Sequence, residues 1–315
     1  MHNRIKRIVG LTLLITALTV AAGPSLPPAA VGAAEKPYNF TTIDPPGAKD
    51  GNALDISPGG EIVGNYLSSV DNKWHGFVLR GGEFATIDYP RNDVTLIRPG
   101  GIAPSGDITG WYSANVSGVI TQHGFLLTRK GEWSTVDYPG QPNTQWFRIL
   151  PDGSLVGCYS TVPNTASMRA VVMSRDGNVE LDRPFACHLS ATSDGKVLVG
   201  YYREGPNYAA NRAYVIDNGV FTPIPFPGSL HSLAFDISPD GRIIVGSYNY
   251  DGVTTHGFMV ERRGASVADW EFTTIDMPGA ILTQVYGCNQ AGDLVGRYKD
   301  STGFHLFLAS RTSGK

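Results

Sequence analysis

A run of the form Gly-x-apolar-x-Gly-x-Tyr occurs six times, and no other feature restricts the fold of this chain as much. It spans Gly60–Tyr66, Gly106–Tyr112, Gly153–Tyr159 and Gly292–Tyr298, and with one extra residue Gly195–Tyr202 and Gly241–Tyr248. The second glycines, at 64, 110, 157, 200, 246 and 296, lie 46, 47, 43, 46 and 50 residues apart. A period of that length marks an architecture of stacked supersecondary units.

Each copy sits inside a larger pattern. Before it runs a strand with apolar residues two apart, as in Leu54/Ile56, Phe147/Ile149, Phe235/Ile237 and Tyr286/Cys288. Turn residues such as Pro151-Asp152-Gly153 separate that strand from the motif. After the motif come a polar loop and a triplet: His75-Gly-Phe77, His123-Gly-Phe125, Arg169-Ala-Val171, Arg212-Ala-Tyr214, His256-Gly-Phe258 and His305-Leu-Phe307. A last strand closes the unit at Phe84–Pro90, Trp133–Pro139, Val179–Pro184, Phe221–Pro227 and Phe272–Pro278. Four short strands per period form a β-propeller blade. Charged residues at only 17%, with 38 Gly and 21 Pro, agree with many strands joined by turns.

The sixth copy stops at Ser310 without a fourth strand, while Phe40-Thr-Thr-Ile-Asp44 is a fourth strand with no unit before it. Pairing 40–44 with 305–309 would complete the last unit and cover both edges. The expected fold is therefore all-β: a six-bladed β-propeller of four-stranded antiparallel blades spanning 35–315, its last blade closed by the N-terminal strand. An open solenoid, the alternative, leaves both edges bare.

The triplets, the Gly-x-apolar-x-Gly-x-Tyr runs and the Thr-Ile-Asp-x-Pro strands together resemble the bacterial extracellular repeat proteins of the His-Ala-Phe type, over residues 40 to 309. The resemblance implies the repeat; it carries over no activity and no catalytic residue, and two of the six triplets begin with Arg instead of His.

Residues 1–34 read as a signal peptide and processed segment. Arg4, Lys6 and Arg7 precede an apolar run from Ile8 to Ala22 that Gly23-Pro24 ends; an uncleaved anchor is the alternative. The expectation is an extracellular or cell-envelope protein, a monomer with no integral membrane segment after processing. Without those three cations the net charge moves from −3 to about −6. A mildly acidic chain without basic runs is not a nucleic-acid binder. Cys158, Cys187 and Cys288 permit at most one bridge, Cys158–Cys187 being the pair in adjacent repeats; three buried thiols is the reading preferred here.

In the Gly81-Gly82 hairpin Phe77 should face Thr86 and His75 should face Asp88. The same arrangement pairs His123 with Asp137, Arg169 with Asp182, His256 with Asp276 and, through closure, His305 with Asp44. Because Arg replaces His in this role, the pairs read as structural and not as metal or acid–base sites. The recurring tyrosines read as packing between blades.

Function is sought where the repeats differ, in the first strand and the loop entering it. Asp55, Arg148 and Asp236 stand five residues before the first motif glycine, Arg98 stands eight before, and His188 and His231 lie nearby. These six are the candidate binding residues at the mouth of an axial channel. No nucleophile, metal or phosphate-loop motif is present, so no catalytic residue, metal or cofactor is assigned. The expected function is non-enzymatic binding of an extracellular polar ligand, glycan or protein. A secreted hydrolase or lyase using channel-mouth Asp, His and Arg, and an architectural envelope protein, are the alternatives.

Overall fold

The computed structural model describes residues 38–311 except 162–166, 175, 182, 184, 206–208 and 265. The targeting reading of residues 1–34 and the Arg169–Asp182 pair therefore fall outside the described residues. What is described is all-β. It opens with β1 (Tyr38–Thr42), and four strands form the first unit: β2 (Ala48–Ile56), β3 (Ile62–Ser68), β4 (Trp74–Arg80) and β5 (Glu83–Ile87). The second unit holds β6 (Val94–Ile102), β7 (Ile108–Val116), β8 (Val119–Leu127) and β9 (Trp133–Thr135). The third holds β10 (Asn143–Ile149), β11 (Leu155–Ser160), β12 (Met168–Ser174) and β13 (Gly177–Glu180). The fourth holds β14 (Ala186–Ala191), β15 (Val197–Glu204), β16 (Ala210–Asp217) and β17 (Val220–Pro223). The fifth holds β18 (His231–Ile237), β19 (Ile243–Asn249), β20 (Thr255–Glu261) and β21 (Glu271–Ile275), and the chain ends with β22 (Leu282–Cys288), β23 (Leu294–Lys299) and β24 (Phe304–Arg311). Among the described residues no helix is long and apolar enough to cross a membrane.

Successive strands within a unit pair antiparallel, and β1 supplies the missing strand of the last unit in the order β1-β24-β23-β22. Thr42 lies opposite Phe307 and Phe40 opposite Ala309, while the Ile43 amide donates to the Leu306 carbonyl at 3.0 Å. The hydrogen-bonded ladders number five sheets, not six. The second and third units share one eight-stranded sheet because Asn143 and Gln122 form a parallel bridge between β10 and β8. Side-chain amides hold that bridge: the Gln122 amide donates to Asn143 Oδ1 (2.9 Å) and Gln145 Nε2 to Gln122 Oε1 (2.7 Å).

The first strand of each unit touches the first strand of the next, and β22 touches β2. The apolar clusters likewise span neighbouring units: Val197, Val199 and Val215 of the fourth pack with Ile244, Tyr248 and Phe258 of the fifth. Each fully buried side chain of this kind contributes about 1.5–3 kcal/mol relative to exposure. The recurring glycine permits close packing of the strands within each unit. A Cβ on Gly64 would lie 1.9 Å from the Asn52 carbonyl and 2.8 Å from the Phe77 ring, and Gly246 meets Leu233 and Phe258 in the same way.

The hairpin pairs form where expected. Phe77 faces Thr86, and His75 Nδ1 lies 2.8 Å from Asp88; the distances are 2.8 Å for His123–Asp137, 2.7 Å for His256–Asp276 and 2.7 Å for His305–Asp44. The second oxygen of Asp44 accepts the Leu306 amide at 2.8 Å, so the acid also holds backbone. The motif tyrosine stacks near the histidine, as in Tyr298–His305 with ring centroids 5.2 Å apart, and its hydroxyl reaches Thr42 at 2.8 Å. Arg212 departs from the pattern: it pairs with Glu204 at 3.2 Å and caps the carbonyls of Ser229 and Leu230.

The preference for three buried thiols is corrected. Cys158 on β11 and Cys187 on β14 are bridged, with their Cα atoms 5.1 Å apart, and Cys288 is free and buried. The bridge forms because β11 packs against β14 across the junction of the third and fourth units.

Candidate functional site

All six first strands carry a β-bulge at the same place. The register slips between Ala53 and Asp55, Pro99 and Gly101, Trp146 and Arg148, His188 and Ser190, Ala234 and Asp236, and Val285 and Gly287. A bulge leaves one residue unpaired and re-aims its side chain. The unpaired residues are Leu54, Gly100, Phe147, Leu189, Phe235 and Tyr286, and all six line one open cavity of about 240 Å³. Arg98, Trp111, Gln145, Tyr201 and Leu233 complete its wall. The cavity is an aromatic cup: Phe235 and Tyr286 meet edge to face with centroids 4.7 Å apart.

The residue after each bulge makes a separate polar layer. Arg148 Nη1 donates to Asp55 Oδ1 at 2.8 Å and lies 3.6 Å from Asp236 Oδ1. The other oxygen of Asp55 accepts the Ile102 amide at 2.8 Å; Asp236 accepts the Cys288 amide at 2.8 Å and the Ser190 hydroxyl. The layer has no room for further side chains. A Cβ on Gly101 would lie 2.6 Å from the Phe147 carbonyl, and one on Gly287 would lie 2.9 Å from the Asp55 Cα. Burial is the main cause that pushes Asp55 up to about 6, against the attraction of Arg148 and with the like charge of Asp236. Burial works against the Arg148 cation, yet Asp55 and Asp236 outweigh it and raise its pKa.

The six residues expected from sequence thus divide. Asp55, Arg148 and Asp236 converge, but on one another, and none of the three lines the cup. Arg98 does line it. His188 is buried in the protein interior, its Nδ1 2.5 Å from the Tyr214 hydroxyl, and burial pushes its pKa down to about 3. His231 accepts the Asn211 amide at 3.2 Å, at the start of β18. Neither histidine lines the cup or joins the carboxylates, contrary to the expectation of a shared mouth.

Sequence reasoning missed Trp111, Phe147, Tyr201, Phe235 and Tyr286. For Phe147, Phe235 and Tyr286 the signal lay at the position six before the first motif glycine, where the apolar residue reads as core unless the bulge is known; Trp111 and Tyr201 stand just before the motif tyrosine. Of the residues eight before, Arg98, Gln145 and Leu233 reach the cup. Asn52 instead bonds Asn65 (2.9 Å), Cys187 is bridged, and Gln284 accepts from Tyr286 and Arg297 at 2.9 and 2.8 Å.

Arg98 is the cation of the cup. It is hydrogen-bonded to the Tyr286 side chain, with Tyr201 and Arg297 nearby and no carboxylate among the groups acting on it; burial first and Arg297 second lower its pKa. Trp111 stands directly opposite Arg98 on the β6–β7 ladder, and its indole N–H has no acceptor. Among the described residues no three His, Cys, Asp or Glu gather as a metal-binding group.

No protein-family model matches the chain, and no curated protein matches it. Solved structures do. A protein of unknown function from Dyadobacter fermentans DSM 18053 superposes with a TM-score of 0.53 at 12% identity, over 86% of this chain and 96% of the other. The β-propeller domain of the Trilobed protease from Pyrococcus furiosus gives 0.49 at 11% identity, over 85% and 96%. A prolyl endopeptidase gives 0.50 at 14% identity, over 84% of this chain but 42% of that one, so this chain spans less than half its length. At these identities the likeness is one of fold.

Proposed function

We propose that the chain is an exported six-bladed β-propeller, closed by β1, that binds a small polar ligand in the aromatic cup at its axis without transforming it. Two contacts support closure: the β1–β24 ladder, and the unbroken sequence of first-strand contacts from β2 round to β22 and back. The Cys158–Cys187 bridge supports export, since such bonds persist in oxidising compartments.

The observation that carries the binding reading is the cup itself. Six bulges turn Gly100 and five side chains toward one concavity of about 240 Å³, and the wall is apolar and aromatic with a few polar groups. That composition is typical of small-molecule sites. The hydrolase or lyase reading needs a carboxylate facing the ligand. Asp55 and Asp236 are both spent on Arg148 and on backbone amides, and both histidines lie elsewhere.

The test is to screen the purified chain against glycans, small sugars and polymeric substrates while assaying for released product. Binding without product, weakened by Phe235→Ala, is the expected result. Product release would overturn the reading.

A further inference from the structure

We infer that the ligand of the cup is a single-ring carboxylate, with Arg98 as the partner of its carboxyl group. The inference rests on the cup being a binding site and goes beyond it by assigning the ligand's charge and size.

Arg98 has the Tyr286 hydroxyl as a hydrogen-bond partner, whereas three other partly buried guanidinium groups among the described residues reach a carboxylate or a side-chain amide. Arg148 has Asp55 and Asp236, Arg262 has Asp217, and Arg297 has Gln284 with Asp50 beyond it at 3.9 Å. Arg98 faces the cup with no carboxylate beside it, and the like charge of Arg297 acts on it from nearby. A cation held without a counter-charge among aromatic rings costs stability in the free protein. Its planar fork of donors matches a carboxylate in two parallel hydrogen bonds. Trp111, opposite Arg98 in register, adds a second donor without an acceptor in the same wall.

Size and charge narrow the class further. About 240 Å³ lies below the range that holds drug-sized ligands, so one ring and its substituents fill the cup. Phe147, Phe235 and Tyr286 offer ring faces and edges to an apolar or sugar ring. No acid lines the cup, so nothing there repels an anion. One arginine neutralises a singly charged carboxylate, whereas a doubly charged phosphate would leave excess negative charge in a largely apolar site.

The experiment compares isosteric pairs, benzoate with benzamide and D-glucuronate with D-glucose, and includes D-glucose 6-phosphate. Each is titrated into the full chain and read by calorimetry and tryptophan emission. An acid should bind roughly ten- to a hundredfold tighter than its neutral counterpart. Arg98→Gln should abolish that difference while melting within about 2 °C of the parent, since no ion pair is lost. Trp111→Phe should remove the emission change. Equal binding of acid and neutral forms would refute the carboxylate assignment and leave the cup standing. Tighter binding of the phosphate would also refute it. No binding by any of the five would refute both. The comparison of isosteric pairs uses the unmodified protein, so it decides the matter even if Arg98→Gln fails to fold.

Discussion

Arg148 Nη1 lies 2.8 Å from Asp55 Oδ1, a contact that ties the third unit to the first. Both side chains are nearly inaccessible, at 11% and 3% exposure, and Asp236 of the fifth unit shares the same guanidinium at 3.6 Å. One cation therefore joins three units that are distant in sequence.

Removing that cation leaves two buried carboxylates facing each other. Arg148→Ala should cost about 3–5 kcal/mol, seen as a fall in melting temperature of roughly 6–20 °C. Adding Asp55→Asn to it should restore part of the loss, because the remaining repulsion disappears. A single variant that melts like the parent would contradict this account of the layer.

Two buried groups give opposite responses to acid. The pKa of His188 falls from 6.5 to about 3 on folding, so its contribution is present above 6.5 and is lost as pH drops toward 3. The pKa of Asp55 rises from 3.8 to about 6, so its contribution is present below 3.8 and is lost as pH rises through 6. From pH 4 to 6 each group contributes a difference of nearly one proton, with opposite sign, so the two dependences nearly cancel and stability should change little across that window. Between pH 4 and 6 urea midpoints should fall with rising pH in His188→Gln and rise with pH in Asp55→Asn. Unchanged slopes would rule out both assignments.

The hairpin pairs are modest struts. Asp88 is 54% exposed, and losing an exposed pair costs roughly 0.2–1 kcal/mol. Asp88→Ala should lower the melting temperature by about 1–4 °C and leave ligand affinity intact. Burial disfavours the His75 cation, but the hydrogen bonds of Asp88 and Asp71 prevail and raise its pKa. The stability it contributes is present below pH 6.5 and is lost as pH rises, so the variant should differ less from the parent at pH 9 than at pH 5.5. Calorimetry at the two pH values checks this; lost ligand binding would mean the pair belongs to the site.

The disulfide closes a segment of 29 residues, for which chain entropy gives about 3–4 kcal/mol. Cys187→Ser should lower the melting temperature by roughly 6–15 °C. Thiol titration should find no reactive thiol in the native protein, one after unfolding and three after reduction. Three thiols on unfolding without a reductant would show that the bridge is absent.

Most of the frame was legible in the chain because it repeats. Six copies of one motif revealed the glycines, the hairpin register of Phe77 and Thr86, and the return of the Phe40–Asp44 strand to the last unit. The site was only half legible, for a geometric reason. A bulge adds one residue per strand and breaks the alternation by which inward and outward positions are told apart, so Phe147, Phe235 and Tyr286 looked like core. Charge drew the reading to Asp55, Arg148 and Asp236, whose partners stand in other units and are invisible in local sequence. His188 misled similarly, because nothing near it in the chain signals that Tyr214 covers it. The bridge between Asn143 and Gln122, which merges two sheets, depends on side-chain amides that no repeat pattern announces.

The proposed closure of the ring rests on β1 pairing with β24. The direct measurement introduces Asn39→Cys and Ser310→Cys, whose parent residues lie opposite each other on β1 and β24. Mild oxidation should give an intramolecular bond in the monomer, a higher melting temperature and unchanged ligand binding. Failure to cross-link, or cross-linking only between molecules, would contradict the closed ring.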